Sequence, residues 1–542
     1  MKLLLLQTRP MIGDFSRQVD TIQKAFSHAQ KESVDLIVTS ELFLTGYFPK
    51  DLLRQDSFIQ ASLDALQAVL DCSQSFPDQA LIVGIPMHTK TGKGLSNTAL
   101  LIQNGTILHR QDKRLLPYDD IFDEPRYFEP SLSYAVIPFK EEILGICICE
   151  DAWADDKKTY LHHPVADLVS QGATLIINLS ASPFYQGKPE LRMSVFSDLA
   201  TRYQIPIVMV NQTGGQDEVL FDGGSFVLNA KGDCTALASF FKEDFLVTST
   251  LSQKQQEKKM PSCESQLVRA VVTGIQDFVQ NSSSKTVLLG LSGGIDSAVV
   301  ATLAVEALGS KQVTGVLMPS PYSSKESVID ATALAKNLGI STCMYPITEI
   351  MTTMDRLQPL VRVAAENRQS RIRAMILMGL ANQTESLVLA TSNKSEVAMG
   401  YATLYGDMSG ALLPIGDLYK IQVYQVAHWL NSNREVIPKN SLSKPPSAEL
   451  SPNQVDTDTL PPYPILDAIL SAFLEEGCDT KSIIGRGFKQ DIVTWVLERL
   501  SQQEFKRWQA PPILKLSNRA FGSGWRMPLS KYVAVSFYPK LR

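Results

Sequence analysis

At 542 residues the chain exceeds one ordinary hydrophobic core, since single cores stop growing near ~250–300 residues, so two sizeable domains are expected. Hydrophobic residues make up 44% and charged residues 20%, with a net charge of -5, which is a soluble globular composition without the basic excess of a nucleic-acid binder. Seven scattered cysteines with no CxxC pair, and six histidines without HExxH or comparable spacing, indicate neither a disulfide framework nor a zinc site and point to a reducing, cytoplasmic setting.

The amino terminus, MKLLLLQTRP, has an apolar run shorter than the ~7–15 residues of a signal-peptide core and reads as a first buried strand. No stretch approaches the ~18 apolar residues of a membrane span, so no membrane partner is expected. Up to about residue 250 short apolar runs recur: LLLLQ, VDLIVTS, ALIVGIP, TALLIQNG, EILGICIC, ATLIINLS, PIVMVNQ and GSFVLNA. Helical stretches such as QVDTIQKAFSHAQKE separate several of them, which predicts a layered α/β sandwich over residues 1–247. Residues 248–265, polar and rich in lysine and glutamine, read as a linker or lead-in helix.

Residues 266–542 open with a helix, LVRAVVTGIQDFVQ, and a strand-loop-helix, TVLLGLSGGIDSAVVATLAVEALG. The strands VTGVLMPS, STCMYPI and SLVLATS then alternate with helices, the rhythm of a parallel doubly wound sheet. The loop Gly290, Leu291, Ser292, Gly293, Gly294, Ile295, Asp296, Ser297 joins a strand to a helix. Its backbone N–H groups and the helix dipole make an anion cradle. It lacks the GK[ST] of a Walker A loop and the GxGxxG of a dinucleotide fingerprint. An acid inside the loop, Asp296, suits a Mg2+ bound against pyrophosphate. A plain glycine turn is the alternative.

This loop resembles that of the N-type ATP pyrophosphatases, which adenylate a substrate oxygen and whose fold is adenine nucleotide alpha hydrolase-like. LATSNKSEVAMGYATLYGD, residues 389–407, resembles the segment of the NAD synthetases within that group. The resemblance implies that Thr391 and Lys420 contact ATP, that Asp296 and Glu396 hold Mg2+, and that Asn367, Arg371, Glu396 and Lys506 contact deamido-NAD. PPSAELSPNQVDTDTLPPY resembles a loop that closes over ATP. Two departures remove contacts common in ammonia-dependent relatives: Leu404 follows Thr403 where a lysine is usual, and Ala411 stands where an aspartate is common.

An adenylated carboxyl needs ammonia, and the first half resembles the nitrilase superfamily, an α-β-β-α sandwich, in its glutaminase branch fused to NAD synthetase. SELFLTGYFPKDL with Glu41, RQDKRLLPYDDIFDEPRYF with Lys113 and Glu124, and GICICEDAW with Cys149 carry that resemblance. A thiolate attacks the glutamine amide, a lysine stabilises thiolate and oxyanion, and a carboxylate shuttles the proton. Glu124 is a supporting glutamate. NLSASPFYQGK gives Ser182 and Lys188 as glutamine contacts, and Tyr118 stands one residue from the family's usual tyrosine position, here Asp119. Strand alternation puts Cys147 and Cys149 on one face, so position at the strand end, not facing, selects Cys149.

Together the halves resemble the glutamine-dependent carbon-nitrogen ligases that turn deamido-NAD into NAD with ATP and L-glutamine, and the parent families imply a homo-oligomer. A tRNA-modifying adenylase would need a basic face and extra cysteines. A sensor that has lost catalysis is opposed by Glu41, Lys113, Cys149 and Asp296.

Overall fold

The computed structural model describes residues 1–89, 92–154, 160–250 and 260–530. The chain divides into two compact units, Met1–Gln216 with Leu220–Pro261, and Asp217–Val219 with Ser262–Arg542. Residues 251–259, the middle of the expected linker, lie outside the described residues.

The first unit contains β1 (Lys2–Gln7), β2 (Leu36–Val38), β3 (Ala80–His88), β4 (Leu95–Gln103), β5 (Thr106–Asp112), β6 (Ile137–Phe139) and β7 (Glu142–Ile148). These are followed by β8 (Leu175–Ser180), β9 (Ile207–Asn211), β10 (Thr213–Gln216), β11 (Val219–Asp222), β12 (Phe226–Leu228), β13 (Cys234–Leu237) and β14 (Asp244–Ser249). Two six-stranded sheets form, ordered β14-β1-β2-β3-β4-β5 and β13-β12-β9-β8-β7-β6, with β10 and β11 as a separate ribbon.

The side-chain period of two assigns each strand's residues to two layers. Leu3, Leu5, Val38 and Ile82 from one sheet join Ile146, Ile148, Ile177 and Val208 from the other in a single buried cluster. Their neighbours Leu4, Leu6, Ile37 and Leu81 face outward, against Ile22 and Phe26 of α1 (Phe15–Lys31) and Leu66 and Val69 of α2 (Asp56–Gln74). On the other outer face Ile176, Ile207 and Met209 pack on Leu168 of α3 (Pro164–Ser170) and Phe196 and Leu199 of α4 (Lys188–Tyr203). The result is the expected α-β-β-α sandwich. Strands covered on both faces read as unbroken apolar runs rather than alternation, and each enclosed aliphatic side chain contributes ~1.5–3 kcal/mol. Edge strands lack that run: β5 is mostly exposed, and β14 is half-buried throughout, yet it pairs antiparallel with β1 from Lys2↔Ser249 to Gln7↔Asp244.

The second unit opens with α5 (Cys263–Gln280), whose N-cap Ser262 accepts from the Ser265 backbone N–H. Its sheet comprises β15 (Val287–Gly290), β16 (Val313–Leu317), β17 (Ser341–Met344) and β18 (Leu387–Val388), all parallel and ordered β17-β16-β15-β18. Between and after the strands run α6 (Ile295–Leu308), α7 (Lys325–Leu338), α8 (Thr348–Leu357), α9 (Val363–Thr384), α10 (Lys394–Met399) and α11 (Lys420–Leu430). The order reverses beside β15, so the crevice for a ligand opens at the carboxyl end of that strand. SLVLATS forms only a two-residue strand because the chain then turns to a new partner, Ala390 N–H donating to Leu412 O at 2.9 Å. No described helix is long and apolar enough to cross a membrane.

Candidate active sites

In the first unit Glu41, Lys113 and Cys149 all stand just past strand ends: β2, β5 and β7 respectively. The Lys113 ammonium is fully buried and bridges two buried carboxylates, with Nζ 2.6 Å from Glu41 Oε1 and 2.8 Å from Glu124 Oε1. Further donors fix both acids. Asn97 Nδ2 donates to Glu41 Oε1 at 2.7 Å, the Ala181 backbone N–H to Glu41 Oε2 at 3.0 Å, and Tyr47 OH to Glu124 Oε1 at 2.7 Å. The second oxygen of Glu124 is buried with no hydrogen-bond partner among the described residues. Burial raises the Glu124 carboxyl to about 7 against the pull of Lys113. Burial also works against the Lys113 ammonium, but Glu124 and Glu41 outweigh it and hold its pKa well above the usual lysine value.

Close approach of the Glu41 loop depends on a glycine in β3. A Cβ at Gly84 would stand 2.4 Å from the Leu42 backbone nitrogen and 2.8 Å from Ser40 O. Gly84→Ala is therefore expected to push Glu41 away from Lys113 and lower glutamine hydrolysis by on the order of a hundredfold, since ~1 Å of misplacement costs that much. Synthesis from added ammonium should be unchanged; equal loss of both activities would show that Gly84 serves folding instead.

Cys149 opens a short 3-10 turn, Cys149–Ala152, with φ at +42°, in the left-handed region that a side chain rarely adopts. That turn corrects the expected facing of the two cysteines. Cys147, inside β7, packs with Trp153, Leu168 and Phe196 in the outer layer, whereas Cys149 joins the cluster between the sheets. The positive φ breaks the strand's alternation, so facing does distinguish them. Burial pushes the Cys149 thiol up strongly, with Glu41 adding to this and Lys113 opposing it.

The remaining candidates are less uniformly placed. Ser182 is buried beyond the end of β8, its backbone N–H donating to Asn211 Oδ1 at 2.8 Å. Lys188 begins α4 with its ammonium 3.6 Å from the centre of the Trp153 ring, at the end of the cysteine turn. Tyr118 is 65% exposed.

In the second unit the loop after β15 fits the anion-cradle expectation. Gly293 has φ +77°, and a Cβ there would meet Ser327 O at 2.2 Å. Gly294 is the N-cap of α6, and Ser292 Oγ lies 3.1 Å from Ser297 Oγ. A cavity of about 490 Å³ lies over this loop, lined by Gly290, Leu291, Ser292, Gly294, Ile295, Asp296 and Ser297. Thr391, Glu396, Lys420, Asn367 and Lys506 also line it. Lys420 Nζ pairs with Asp296 Oδ2 and lies 3.4 Å from Glu396 Oε1. Burial disfavours that ammonium, but the two acids prevail and raise its pKa. Burial likewise lifts Glu396 to about 8.

Among the described residues no three His, Cys, Asp or Glu side chains form a metal cluster. The two carboxylates that meet the Lys420 ammonium in this cavity, Asp296 and Glu396, nevertheless suit Mg2+, which takes one or two carboxylates plus substrate phosphates rather than a protein cage. Arg371 is not among the cavity-lining residues; its Nε donates to Leu404 O at 3.1 Å. Lys506 Nζ donates to the carbonyls of Gly400 and Ala402, each at 2.7 Å, and Asn367 Oδ1 accepts from Thr403 Oγ1 at 2.8 Å.

Residues 4–258 match the carbon-nitrogen hydrolase family and residues 267–510 the NAD synthase family. A glutamine-dependent NAD(+) synthetase of Synechocystis sp. is 44% identical, the match covering 99% of each chain. The chain belongs to the glutamine-dependent NAD(+) synthetases. A synthetase of the same name from Thermotoga maritima is 38% identical over 98% of each chain. The solved structure of an Acinetobacter baumannii glutamine-dependent NAD+ synthetase in complex with ADP is similar at 32% identity, TM-score 0.77, covering 97% of this chain and 98% of that one. A Cytophaga hutchinsonii synthetase structure at 21% identity and TM-score 0.82, covering 97% of each chain, shares the fold.

Within this synthetase several further groups touch the candidate sites. Asp151 receives the Ile148 backbone N–H at 3.0 Å and the Leu115 N–H at 2.9 Å, tying the cysteine turn to the lysine segment. Asn393 Nδ2 donates to Asp296 Oδ1 at 2.9 Å and caps α10. Asn97 is legible as a buried amide at the polar start of β4, and Asn393 with Glu396 as an N-terminal capping pair. Glu449 and Asp456, in the segment read as a loop over ATP, both line the cavity. Glu449 Oε1 accepts from Ser324 Oγ at 2.9 Å and Ser327 Oγ at 2.7 Å.

Proposed function

We propose that the first unit releases ammonia from L-glutamine and that the second uses ATP to activate the nicotinate carboxylate of deamido-NAD, which ammonia converts to NAD. The observation that carries this reading is the buried Lys113 held between Glu41 and Glu124 beside Cys149, in one chain with a nucleotide-sized cavity over the Asp296 loop.

Cys149 Sγ attacks the amide carbon while Glu41 takes the thiol proton, and Lys113 bears against the developing oxyanion. Glu41 returns the proton to the departing nitrogen, ammonia leaves, and a thioester remains. Water deprotonated by Glu41 then cleaves the thioester to glutamate. Glu124 holds Lys113 in place, and Ser182 and Lys188 orient the glutamine. Tyr118, exposed here, reaches the substrate only if its segment moves.

In the second unit a carboxylate oxygen of deamido-NAD displaces pyrophosphate from the α-phosphorus of ATP. Ammonia then attacks the acyl carbon and AMP departs. Backbone N–H groups from Ser292 to Ser297, with Thr391 and Lys420, hold the ATP phosphates; Asn367, Glu396 and Lys506 hold deamido-NAD, whereas Arg371, bonded to Leu404 O and off the cavity wall, is not assigned that contact. Asp296 and Glu396 are the residues that would hold Mg2+, which when bound supplies charge neutralisation at the leaving pyrophosphate. A protein working this way suits the cytoplasm, and a homo-oligomer is consistent with its family.

Supplying glutamine labelled with 15N in the amide, together with ATP and deamido-NAD, should place the label in the carboxamide of NAD and yield AMP and pyrophosphate in equal amounts. ADP and phosphate as the nucleotide products would overturn the adenylation step, and unlabelled NAD the nitrogen transfer.

A further inference from the structure

Three basic residues that line the nucleotide cavity, Arg373, Lys444 and Arg499, have no role in the scheme above, and among them Arg373 stands on α9. The residues of α9 that line the cavity include positions 363, 366, 370, 373 and 377, spaced by three or four, so they form one stripe along the helix. Arg373 is the basic residue of that stripe. Arg371, two positions earlier, sits about 200° around the helix and is off it.

The Arg373 side chain is held by one bond, Nε donating to Met318 O at 3.1 Å. Its two terminal nitrogens have no hydrogen-bond acceptor and no ion-pair partner among the described residues. Burial lowers its pKa to about 10, with Glu449 and Asp407 acting the other way, so the guanidinium stays charged at neutral pH in a half-buried position on the cavity wall. Glu449 is already occupied with Ser324 and Ser327.

The anchor point fixes where that charge stands. Gly290 of β15 pairs with Val316 of β16, and Ser292 and Met318 follow the carboxyl ends of these neighbouring strands and line the same cavity. A guanidinium fork with two free edges, held at the carboxyl end of the sheet beside an anion cradle, matches a phosphate group.

We infer that Arg373 binds a phosphate of one of the two nucleotide substrates through its terminal nitrogens, with Met318 O setting its direction. This rests on the functional reading above. The ligand is ATP or deamido-NAD, which share this chemistry, and kinetics separates them.

The test uses the full chain with ammonium as nitrogen donor, so that glutamine hydrolysis does not enter. Arg373→Met should raise the KM for one nucleotide by on the order of ten- to a hundredfold, the scale of a lost charge-assisted pair. Arg373→Lys should recover part of that affinity. A rise confined to ATP assigns the contact to ATP, and one confined to deamido-NAD assigns it there. If both KM values stay within about twofold of wild type, or both rise together without rescue by lysine, the inference is wrong. If the wild-type chain makes no NAD under these conditions, the functional reading fails instead.

Discussion

Cys149→Ala should abolish NAD synthesis from glutamine, by on the order of a thousandfold or more, while synthesis from added ammonium continues at the wild-type rate. Cys149 directly follows β7, where burial and Glu41 raise its thiol pKa and Lys113 opposes them. Cys147 cannot substitute, because it packs on the opposite side of the sheet among Trp153, Leu168 and Phe196. An electrophilic glutamine analogue should accordingly label Cys149 and spare Cys147, read by peptide mass. Loss of the ammonium-driven reaction to the same degree would mean that the two chemistries are not divided between the units as proposed.

Asp296→Asn should have the converse effect. The substitution keeps an acceptor for Asn393 Nδ2 but removes the charge that pairs with Lys420 and would face Mg2+. Synthesis from either nitrogen source should fall by on the order of a hundred- to a thousandfold, the usual cost of removing a preorganised electrostatic group. Glutamine hydrolysis assayed without nucleotides should stay within about twofold, since Asp296 shares no hydrogen-bond or ion-pair partner with Glu41, Lys113 or Cys149. A variant that keeps its synthetic rate would remove Asp296 from the proposed metal site.

Which features were legible in advance follows from how local their causes are. The eight apolar runs of the first half became strands because burial on both faces demands unbroken hydrophobic sequence, a requirement written residue by residue. β14 escaped notice because its pairing with β1 is non-local and its residues are only half-buried. The strand-turn-helix around Gly293 could be read from its own residues, since its turn needs Gly293 at positive φ and its helix begins at once.

The assembly of sites was a tertiary matter. Glu41, Lys113 and Cys149 are spread over more than a hundred positions and meet only because three strand ends converge; Asn97, Tyr47 and Asp151 then lock them through contacts that no spacing announces. Arg371 and Arg373 are equivalent as letters in ENRQSRIRAMILM, and only the rotation of α9 against the sheet aims one at the cavity and the other at Leu404 O. The amino-acid order by itself determined the two-domain plan and the family, and it singled out the residue types proposed to react, because these depend on composition and short motifs. The tertiary structure decided which cysteine layer, which arginine and which hydrogen-bond partners, because each depends on a backbone angle or a packing register set by residues far away in the chain.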